Sequence, residues 1–120
     1  MSSTKPRIGV VGPCKSGKST LVRGLGKEGY EAIHIAQEHS FAPRMWQQIA
    51  QPDILVYLDC SYPTTVKRGL NWTQLEFNEQ QPRLENARKH AGLLINTDDL
   101  DPDSILKKVK AFLLSKKTPE

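Results

Sequence analysis

The chain has 120 residues, the usual length of one domain, and we predict a single domain over residues 1–120. Hydrophobic residues make up 38% and charged residues 25%, a composition that favours an ordinary soluble protein over a disordered or membrane protein. The net charge of +4 comes largely from a C-terminal helix face and one glycine-rich segment. We therefore favour a solvated helix face and keep nucleic-acid binding as a secondary alternative.

The sequence carries no targeting signal that we can identify. No apolar run approaches the roughly 18 residues needed to span a bilayer, and the start, MSSTKPR, lacks the apolar core of a secretory signal. Cys14 and Cys60 have neither the spacing of metal ligands nor that of a disulfide framework. We therefore expect a cytoplasmic protein without a membrane partner.

The first elements in chain order are a strand and a helix joined by glycines. Residues 7–11 form a β-branched run that ends at a glycine, which is typical of a buried parallel strand. Residues 18–27 place Leu21, Val22 and Leu25 on one helix face, before a lysine and glycine segment ends the helix. The pattern indicates a strand, a glycine turn and an amphipathic helix.

A second strand and a short helix follow. Residues 31–36 alternate in polarity, which predicts a strand at or near a sheet edge. Over residues 43–50 we predict a short helix in which Met45, Trp46 and Ile49 are spaced to pack inward.

The second half of the chain continues the alternation of strands and helices. Residues 54–58 are apolar on both faces, so they predict a central strand, and Pro63 suits the first turn of the next helix. Thr73 and Glu76 form a capping box that opens a polar helical region. That region runs towards residue 90, and Pro82 is expected to kink or split it.

The chain then ends with a strand and a helix, over residues 92–97 and from Asp101 onwards, with Pro102 in the first helical position. Strands alternating with helices predict an α/β fold, a three-layer sandwich with a small, mostly parallel sheet of about four strands. The simplest right-handed layout puts the first strand between the second and the third. Ligands then bind at the carboxyl ends of these strands.

One motif carries the functional prediction. Gly12, Gly17, Lys18 and Ser19 fit G-x-x-x-x-G-K-[ST], with a strand before and a helix after. The glycines let backbone N–H groups turn inward at a positive helix N-terminus, which makes an anion nest. Lys18 would reach the β- and γ-phosphates, the Ser19 hydroxyl would hold Mg²⁺, and Thr20 would donate near the α-phosphate. The predicted cofactor-binding residues are Gly12, Pro13, Cys14, Lys15, Ser16, Gly17, Lys18, Ser19 and Thr20.

We expect ATP as the nucleotide, because no N-K-x-D signature for guanine is found. Two loop side chains leave alternatives open. Lys15 either adds charge near the γ-phosphate or points to solvent. Cys14 is either a thiol of lowered pKa or a small packed side chain, and we favour the second interpretation.

The chain resembles a known family. The segments GPCKSGKST, PDILVYLDCSYPTTVKRG and AGLLINTDDLDPDSILKKV, in that order, are similar to those of the P-loop kinases of nucleotides, nucleosides and related small molecules, especially the branch that includes thymidylate kinase. The resemblance covers nearly the whole chain in an unusually short form. It implies an ATP–Mg²⁺ site, an acceptor bound across the strand ends and an arginine-bearing lid over residues 68–91.

The resemblance also implies roles for individual residues. Arg68 would lie against the nucleotide base, and Arg83 and Arg88 would stabilise charge on the transferred group, although each also fits a solvated helix face. Phosphoryl transfer needs a carboxylate, and both Glu38 and Asp59 follow strands. The order of strands in the family favours Glu38 for catalysis, while the apolar run before Asp59 suits a metal-side strand.

The acceptor side would be formed by the segment QEHSFAPRMW. Arg44 could hold an anionic group, Phe41 or Trp46 could stack on a ring, and His39 could form a hydrogen bond. Kinases of this family are longer, and here one short helix stands where they insert a helical pair and another strand. The acceptor site is then small, open or completed by a second copy of the chain.

The leading functional prediction is an ATP-dependent kinase for a nucleotide, a nucleoside or a similar small acceptor. One alternative is a nucleotide-binding module, or slow NTPase switch, without a small-molecule acceptor. Another is a polynucleotide 5′-kinase, for which the high pI of about 9.2 predicts salt-sensitive nucleic-acid binding.

Overall fold

The computed structural model describes the backbone of residues 6–116 and the side chains of residues 6–115. Its centre is a parallel sheet with the strands β1 Arg7–Val11, β2 Glu31–His34, β3 Ile54–Asp59 and β4 Leu93–Asn96. Around the sheet lie the helices α1 Lys18–Lys27, α2 Tyr62–Lys67, α3 Gln74–Asn78, α4 Gln80–His90 and α5 Pro102–Lys116. A 3₁₀ turn at Gln37–His39 and a π-helical turn at Trp46–Ala50 connect β2 to β3.

The strand order is β2-β1-β3-β4, and every neighbouring pair is parallel. The predicted α/β fold is thus confirmed, with β1 between β2 and β3 and with β2 at an edge. Val10 pairs with His34 on one side and with Val56 on the other, so β1 is held by two ladders. A parallel pair requires a crossover connection, which α1 provides between β1 and β2 and which α2, α3 and α4 provide between β3 and β4, whereas α5 follows the last strand.

The sheet is covered on both faces. On one face, α1 and α5 pack against β1 and β3 through Leu21, Leu25 and Val109, which are all at most 3% exposed. On the other face, Leu84 of α4 and Trp46 of the π-helical turn pack around Tyr57 and its neighbours. Burial of these aliphatic and aromatic side chains is the main stabilising contribution, and it produces three layers.

Local signals set the ends of several helices. Thr73 and Glu76 form the predicted capping box at α3, with the Glu76 N–H donating to the Thr73 hydroxyl at 3.2 Å. The polar helical region is split at Glu79, three residues before Pro82, because proline cannot donate to a carbonyl four residues earlier. Asp101 caps α5, where its Oδ1 accepts from the Ser104 N–H at 2.8 Å.

The prediction that Ile49 packs inward is wrong, because Ile49 is 75% exposed. Residues 46–50 form a π-helical rather than an α-helical turn, and its wider turn places Trp46 and Ala50 on the buried side. Gln51 then takes a left-handed conformation with φ 48°, which redirects the chain into β3. Among the helices within residues 6–116, none is long and apolar enough to cross a membrane.

Because the sheet is parallel, the segments that follow its strands meet at one edge. The residues after β1 form a glycine loop, defined here as residues 12–17, which leads directly into α1. The 3₁₀ turn at Gln37–His39 follows β2, and residues 97–101 follow β4. The candidate site is built from these segments.

Candidate functional site

The glycine loop needs glycine at both of its ends. Gly12 has φ 151°, and a Cβ added there would lie 2.1 Å from the Leu58 carbonyl oxygen, so the loop passes directly against β3. Gly17 has φ 110° and precedes the first residue of α1. Between them the Ser16 N–H donates to the Pro13 carbonyl at 3.2 Å, which closes the turn. The motif glycines therefore meet a steric demand.

The loop presents free backbone donors at the start of α1. Helix α1 has no side-chain cap, and its first intrahelical donor is the Leu21 N–H, which bonds the Gly17 carbonyl. From Lys15 to Thr20, every N–H group except that of Ser16 donates no hydrogen bond within the described residues, which leaves five free donors. Such donors at the positive end of a helix dipole attract anions.

Lys18 and Glu38 form a buried ion pair beside the loop. The Lys18 Nζ lies 3.0 Å from the Glu38 Oε2, and the two side chains are 4% and 3% exposed. Nζ also donates to the Gly12 and Pro13 carbonyls at 2.9 Å each. Burying an ion costs free energy, and the partner charge with the two carbonyls offsets that cost. The ammonium is thus held inside the curve of the loop.

A cavity of about 490 Å³ opens over this pair. It brings together most of the residues predicted for the site, and adds His34 from β2. Its lining consists of Cys14, Lys15, Gly17, Lys18, Ser19, Thr20, His34, Glu38, His39 and Arg68. Burial and the nearby Lys18 ammonium lower the pKa of the His34 imidazole. The lining carries three cationic side chains, Lys15, Lys18 and Arg68, against the one carboxylate of Glu38, which favours an anionic ligand.

A second, smaller cavity of about 270 Å³ adjoins the helical side of the loop. Its wall is mostly apolar, from Leu21, Leu100, Pro102 and Ile105, with Arg68 at the border between the two cavities. A polar cavity beside an apolar one suits a ligand with an anionic end and a flat apolar end.

Arg68 fastens the loop to the segment after β4. Its Nη1 donates to the Lys15 carbonyl at 2.8 Å and to the Thr97 Oγ1 at 3.1 Å, and its Nη2 donates to the Thr97 carbonyl at 2.6 Å. The buried Thr97 hydroxyl in turn donates to the Ser16 carbonyl at 3.0 Å. Sequence analysis missed Thr97, whose only signal is its position directly after β4.

Gln80 is another residue that sequence analysis missed. It is fully buried at the first position of α4, and its Oε1 accepts from the Cys14 N–H at 3.0 Å. The first turn of α4 therefore contacts the glycine loop directly. No sequence signal marks Gln80 among the glutamines around it, because the contact spans 66 residues.

The two lid arginines have different surroundings. Arg83 Nη1 donates to the Glu38 carbonyl at 3.2 Å, and its guanidinium lies 4.3 Å from the centroid of the Phe41 ring. Arg88 lies in the last turn of α4, 5.9 Å from the centroid of the Tyr57 ring. Neither arginine is among the residues that line the cavity over the loop. The structure brings Arg83, but not Arg88, to the Glu38 segment.

The remaining predicted residues lie outside that cavity. Asp59 ends β3, and its Oδ1 accepts from the Cys60 N–H at 3.0 Å. Arg44 is exposed. Trp46 is only 7% exposed and donates from Nε1 to Asn86 at 3.0 Å, so it belongs to the core, whereas Phe41 is 83% exposed. Of the two proposed stacking rings, Phe41 is the accessible one.

Cys14 and His39 lie beside Glu38. The Cys14 Sγ is 3.4 Å from the His39 Nε2 and 3.8 Å from the Glu38 Oε2. Burial and the adjacent Glu38 carboxylate raise the pKa of the Cys14 thiol. The raised pKa agrees with the packed side chain that we favoured from the sequence, and not with a thiol of lowered pKa.

The chemistry of the site is inferred from these atoms alone. No protein-family model matches the chain, and no curated protein matches it either. The cluster offers five free amide donors, a confined ammonium, an arginine and a buried carboxylate around one cavity. Together they can bind a polyanion and place a general base next to it.

Proposed function

We propose that the protein binds ATP with Mg²⁺ at the glycine loop and transfers the terminal phosphoryl group to a small acceptor, such as a nucleotide or a nucleoside. The observation that carries this proposal is the run of five N–H groups without acceptors at the start of α1, in the same segment as the buried Lys18 ammonium. Successive inward amides at a helix N-terminus bind phosphate without any side chain.

Lys18 and Ser19 would contact the phosphates and the metal. The Lys18 Nζ is held by two loop carbonyls and by Glu38, so the incoming phosphate oxygens need only replace the Glu38 contact. The exposed Ser19 hydroxyl lines the same cavity and fits Mg²⁺, a hard cation that takes oxygen ligands and keeps several waters. Asp59 at the end of β3 is the carboxylate that would hold a water of that shell.

The base of the nucleotide would occupy the smaller cavity. Leu21, Leu100 and Ile105 offer an apolar wall for a purine ring, and Arg68 offers a guanidinium plane at the border of the two cavities. ATP is the expected donor because the chain lacks a guanine-reading signature.

Glu38 would serve as the general base. Once phosphates draw Lys18 away, the Glu38 carboxylate faces the cavity and can accept the proton of an acceptor hydroxyl. His39, which is 49% exposed, stands on the acceptor side of Glu38. Arg83 and the exposed ring of Phe41 would form the adjoining surface, with Arg44 free to meet an anionic group.

Nucleotide binding is tested first, with a fluorescent ATP analogue and Mg²⁺. We expect Lys18→Ala to weaken binding about 10- to 100-fold, because a charge-assisted hydrogen bond contributes roughly 1.5–3 kcal/mol. Lys27→Ala removes the same charge at the other end of α1 and should leave binding unchanged. Equal affinities of the two variants would contradict the proposed site.

Transfer is tested next by incubating γ-labelled ATP with nucleotides, nucleosides and a 5′-hydroxyl oligonucleotide. We expect label on a small acceptor, and Glu38→Gln should reduce transfer more than ATP binding. Label on the oligonucleotide alone would instead indicate a polynucleotide kinase.

A nucleotide-binding module with slow hydrolysis is the second candidate. It is favoured by the cavity lining, which includes neither Arg83, Arg88 nor Arg44 and so offers few groups for an acceptor. Tight ATP binding with release of inorganic phosphate, and with no labelled acceptor, would support this candidate over the kinase.

A further inference from the structure

We propose that Cys14, Glu38 and His39 form a binding site for a thiophilic divalent cation of the Zn²⁺ class at the mouth of the glycine loop. The three ligand atoms, Sγ, Oε2 and Nε2, all lie within 4.8 Å of one another. The proposal is separate from the Mg²⁺ that accompanies ATP, since a thiol and an imidazole suit Zn²⁺ and not Mg²⁺.

The distances between the ligand atoms fit a tetrahedral cation. Zinc lies near 2.3 Å from a sulfur ligand and near 2.0–2.1 Å from a nitrogen or oxygen ligand. At the tetrahedral angle, the sulfur is then about 3.6 Å from the nitrogen or the oxygen, and the nitrogen is about 3.3 Å from the oxygen. The observed separations are 3.4 Å for Cys14 to His39, 3.8 Å for Cys14 to Glu38 and 3.7 Å for His39 to Glu38. Side-chain shifts of a few tenths of an ångström would complete three tetrahedral corners.

The Glu38 carboxylate is buried and is only partly satisfied by its protein partners. Its side chain is only 3% exposed, and within the described residues its Oε1 has no hydrogen-bond partner. Buried carboxylate oxygens are normally satisfied, so the group has unused capacity for a positive partner. The oxygen that faces Cys14 and His39 is Oε2, so a cation between the three residues would bind the carboxylate at Oε2.

The ligands are also held in place by the surrounding structure. Glu38 and His39 are adjacent on the 3₁₀ turn that begins at Gln37. The Gln37 amide donates to the Ala42 carbonyl at 2.8 Å, and its Oε1 accepts from the Trp46 N–H at 2.8 Å. Cys14 is fixed through its own N–H by Gln80. Such supporting hydrogen bonds orient metal ligands before the metal arrives.

The positive charge of Lys18 disfavours a second cation at Glu38, and this repulsion provides a test of the proposal. Its ammonium lies 3.0 Å from the Glu38 Oε2, so the cation and Lys18 compete for the same carboxylate. All three ligand residues line the open cavity, which also includes His34, so a fourth position on the cation would be open to water. Three protein ligands and an open position describe an exchangeable site and not a closed structural one.

The experiment uses the full chain after removal of metal with a chelator. Co²⁺ is the spectroscopic probe, and Zn²⁺ affinity is measured by displacement of Co²⁺. We expect one equivalent per chain with a thiolate-to-cobalt charge-transfer band. Cys14→Ser should abolish that band, and Cys14→Ser or His39→Ala should each weaken Zn²⁺ binding by at least about 10- to 100-fold, the usual loss for supporting residues alone. Lys18→Met should strengthen Zn²⁺ binding.

Cys60→Ala removes the other described thiol, which is buried after β3, and should keep both the band and the affinity. His39→Ala changes a half-exposed side chain, so it tests the site even if Cys14→Ser impairs folding. Absence of the charge-transfer band in the unmodified chain, or a Zn²⁺ affinity unaffected by both ligand variants, would overturn the proposal. Neither result depends on ATP, so a failed metal site and a failed nucleotide site are distinguishable.

Discussion

Gly12 and Gly26 belong to the same strand–loop–helix unit, but a methyl group would meet different surroundings at each. At Gly12 a Cβ would lie 2.1 Å from a carbonyl oxygen with φ at 151°, whereas at Gly26 nothing lies within 4 Å. We expect Gly12→Ala to lower the free energy of unfolding by at least about 2 kcal/mol. Gly26→Ala, within α1, should raise it by about 0.5 kcal/mol.

Urea denaturation followed by circular dichroism measures both changes against the unmodified chain. The two variants add the same atoms to the same residue type, so a general effect of alanine cannot produce opposite signs. If both variants lost similar stability, the close approach of the glycine loop to β3 would be contradicted.

At the scale of residues, the sequence predicts what is local in the chain. Gly12, Gly17, Lys18 and Ser19 are found because their chemistry depends on spacing along one continuous segment. Glu38 and Asp59 are both predicted because an acid after a strand lies at the edge where ligands bind, and only the resemblance favours Glu38 between them. Gln80 and Thr97 are not found, because their roles depend on contacts with residues 66 and 81 positions away.

At the scale of elements, Asp98 ties the segment after β4 to the start of α2. The Asp98 Oδ1 accepts from the Ser61 N–H at 2.8 Å, and this hydrogen bond lowers the pKa of the carboxyl group. The folded state therefore favours the carboxylate. Its stabilisation is present above the unfolded-state pKa and is lost as the pH falls through the folded-state pKa.

We expect Asp98→Asn to flatten the acid limb of the stability curve between about pH 5 and about pH 2, because the side chain no longer titrates. Denaturant midpoints measured across this range give the test. Asp99→Asn changes the exposed neighbouring residue and serves as the matched control. An unchanged acid limb for Asp98→Asn would show that the Ser61 contact contributes nothing to stability.

Most elements are predictable because their signals agree. The apolar runs of β1 and β3, the capping box at Thr73 and the proline in the first turn of α4 each indicate one local structure, and the folded chain adopts that structure at each place. The turn at Trp46–Ala50 is different. An α-helical period places Ile49 on the buried side, but the turn is π-helical, and Ile49 is exposed. The period itself depends on tertiary packing, which the sequence pattern does not contain.

At the scale of the whole molecule, Arg68 connects three parts of the fold. From the end of α2 its guanidinium bonds the glycine loop through Lys15 and the post-β4 segment through both Thr97 oxygens, and it borders both cavities. The same group therefore stabilises the empty loop and would contact a bound nucleotide. Stability and ligand affinity are expected to change together when Arg68 changes.

Arg68→Lys tests this connection, since an ammonium keeps the charge but cannot form the forked contacts of a guanidinium. If ATP–Mg²⁺ binds as proposed, a concentration 100 times the Kd raises the free energy of unfolding by about 2.7 kcal/mol. We expect Arg68→Lys to weaken ATP about tenfold, which lowers that gain by about 1.4 kcal/mol at the same ATP concentration.

Thermal unfolding with and without ATP–Mg²⁺ measures both the stability of the protein alone and the stabilisation that ATP adds. Arg23→Lys on the exposed face of α1 is the control. If Arg68→Lys lowers the transition temperature without ATP and also reduces the shift on adding ATP, Arg68 both stabilises the loop and contacts the nucleotide. A lower transition temperature with a full ATP shift would confine Arg68 to holding the loop. Because the loop, α2 and the segment after β4 share this one side chain, the second result would mean that the loop keeps its binding geometry without the Arg68 contacts.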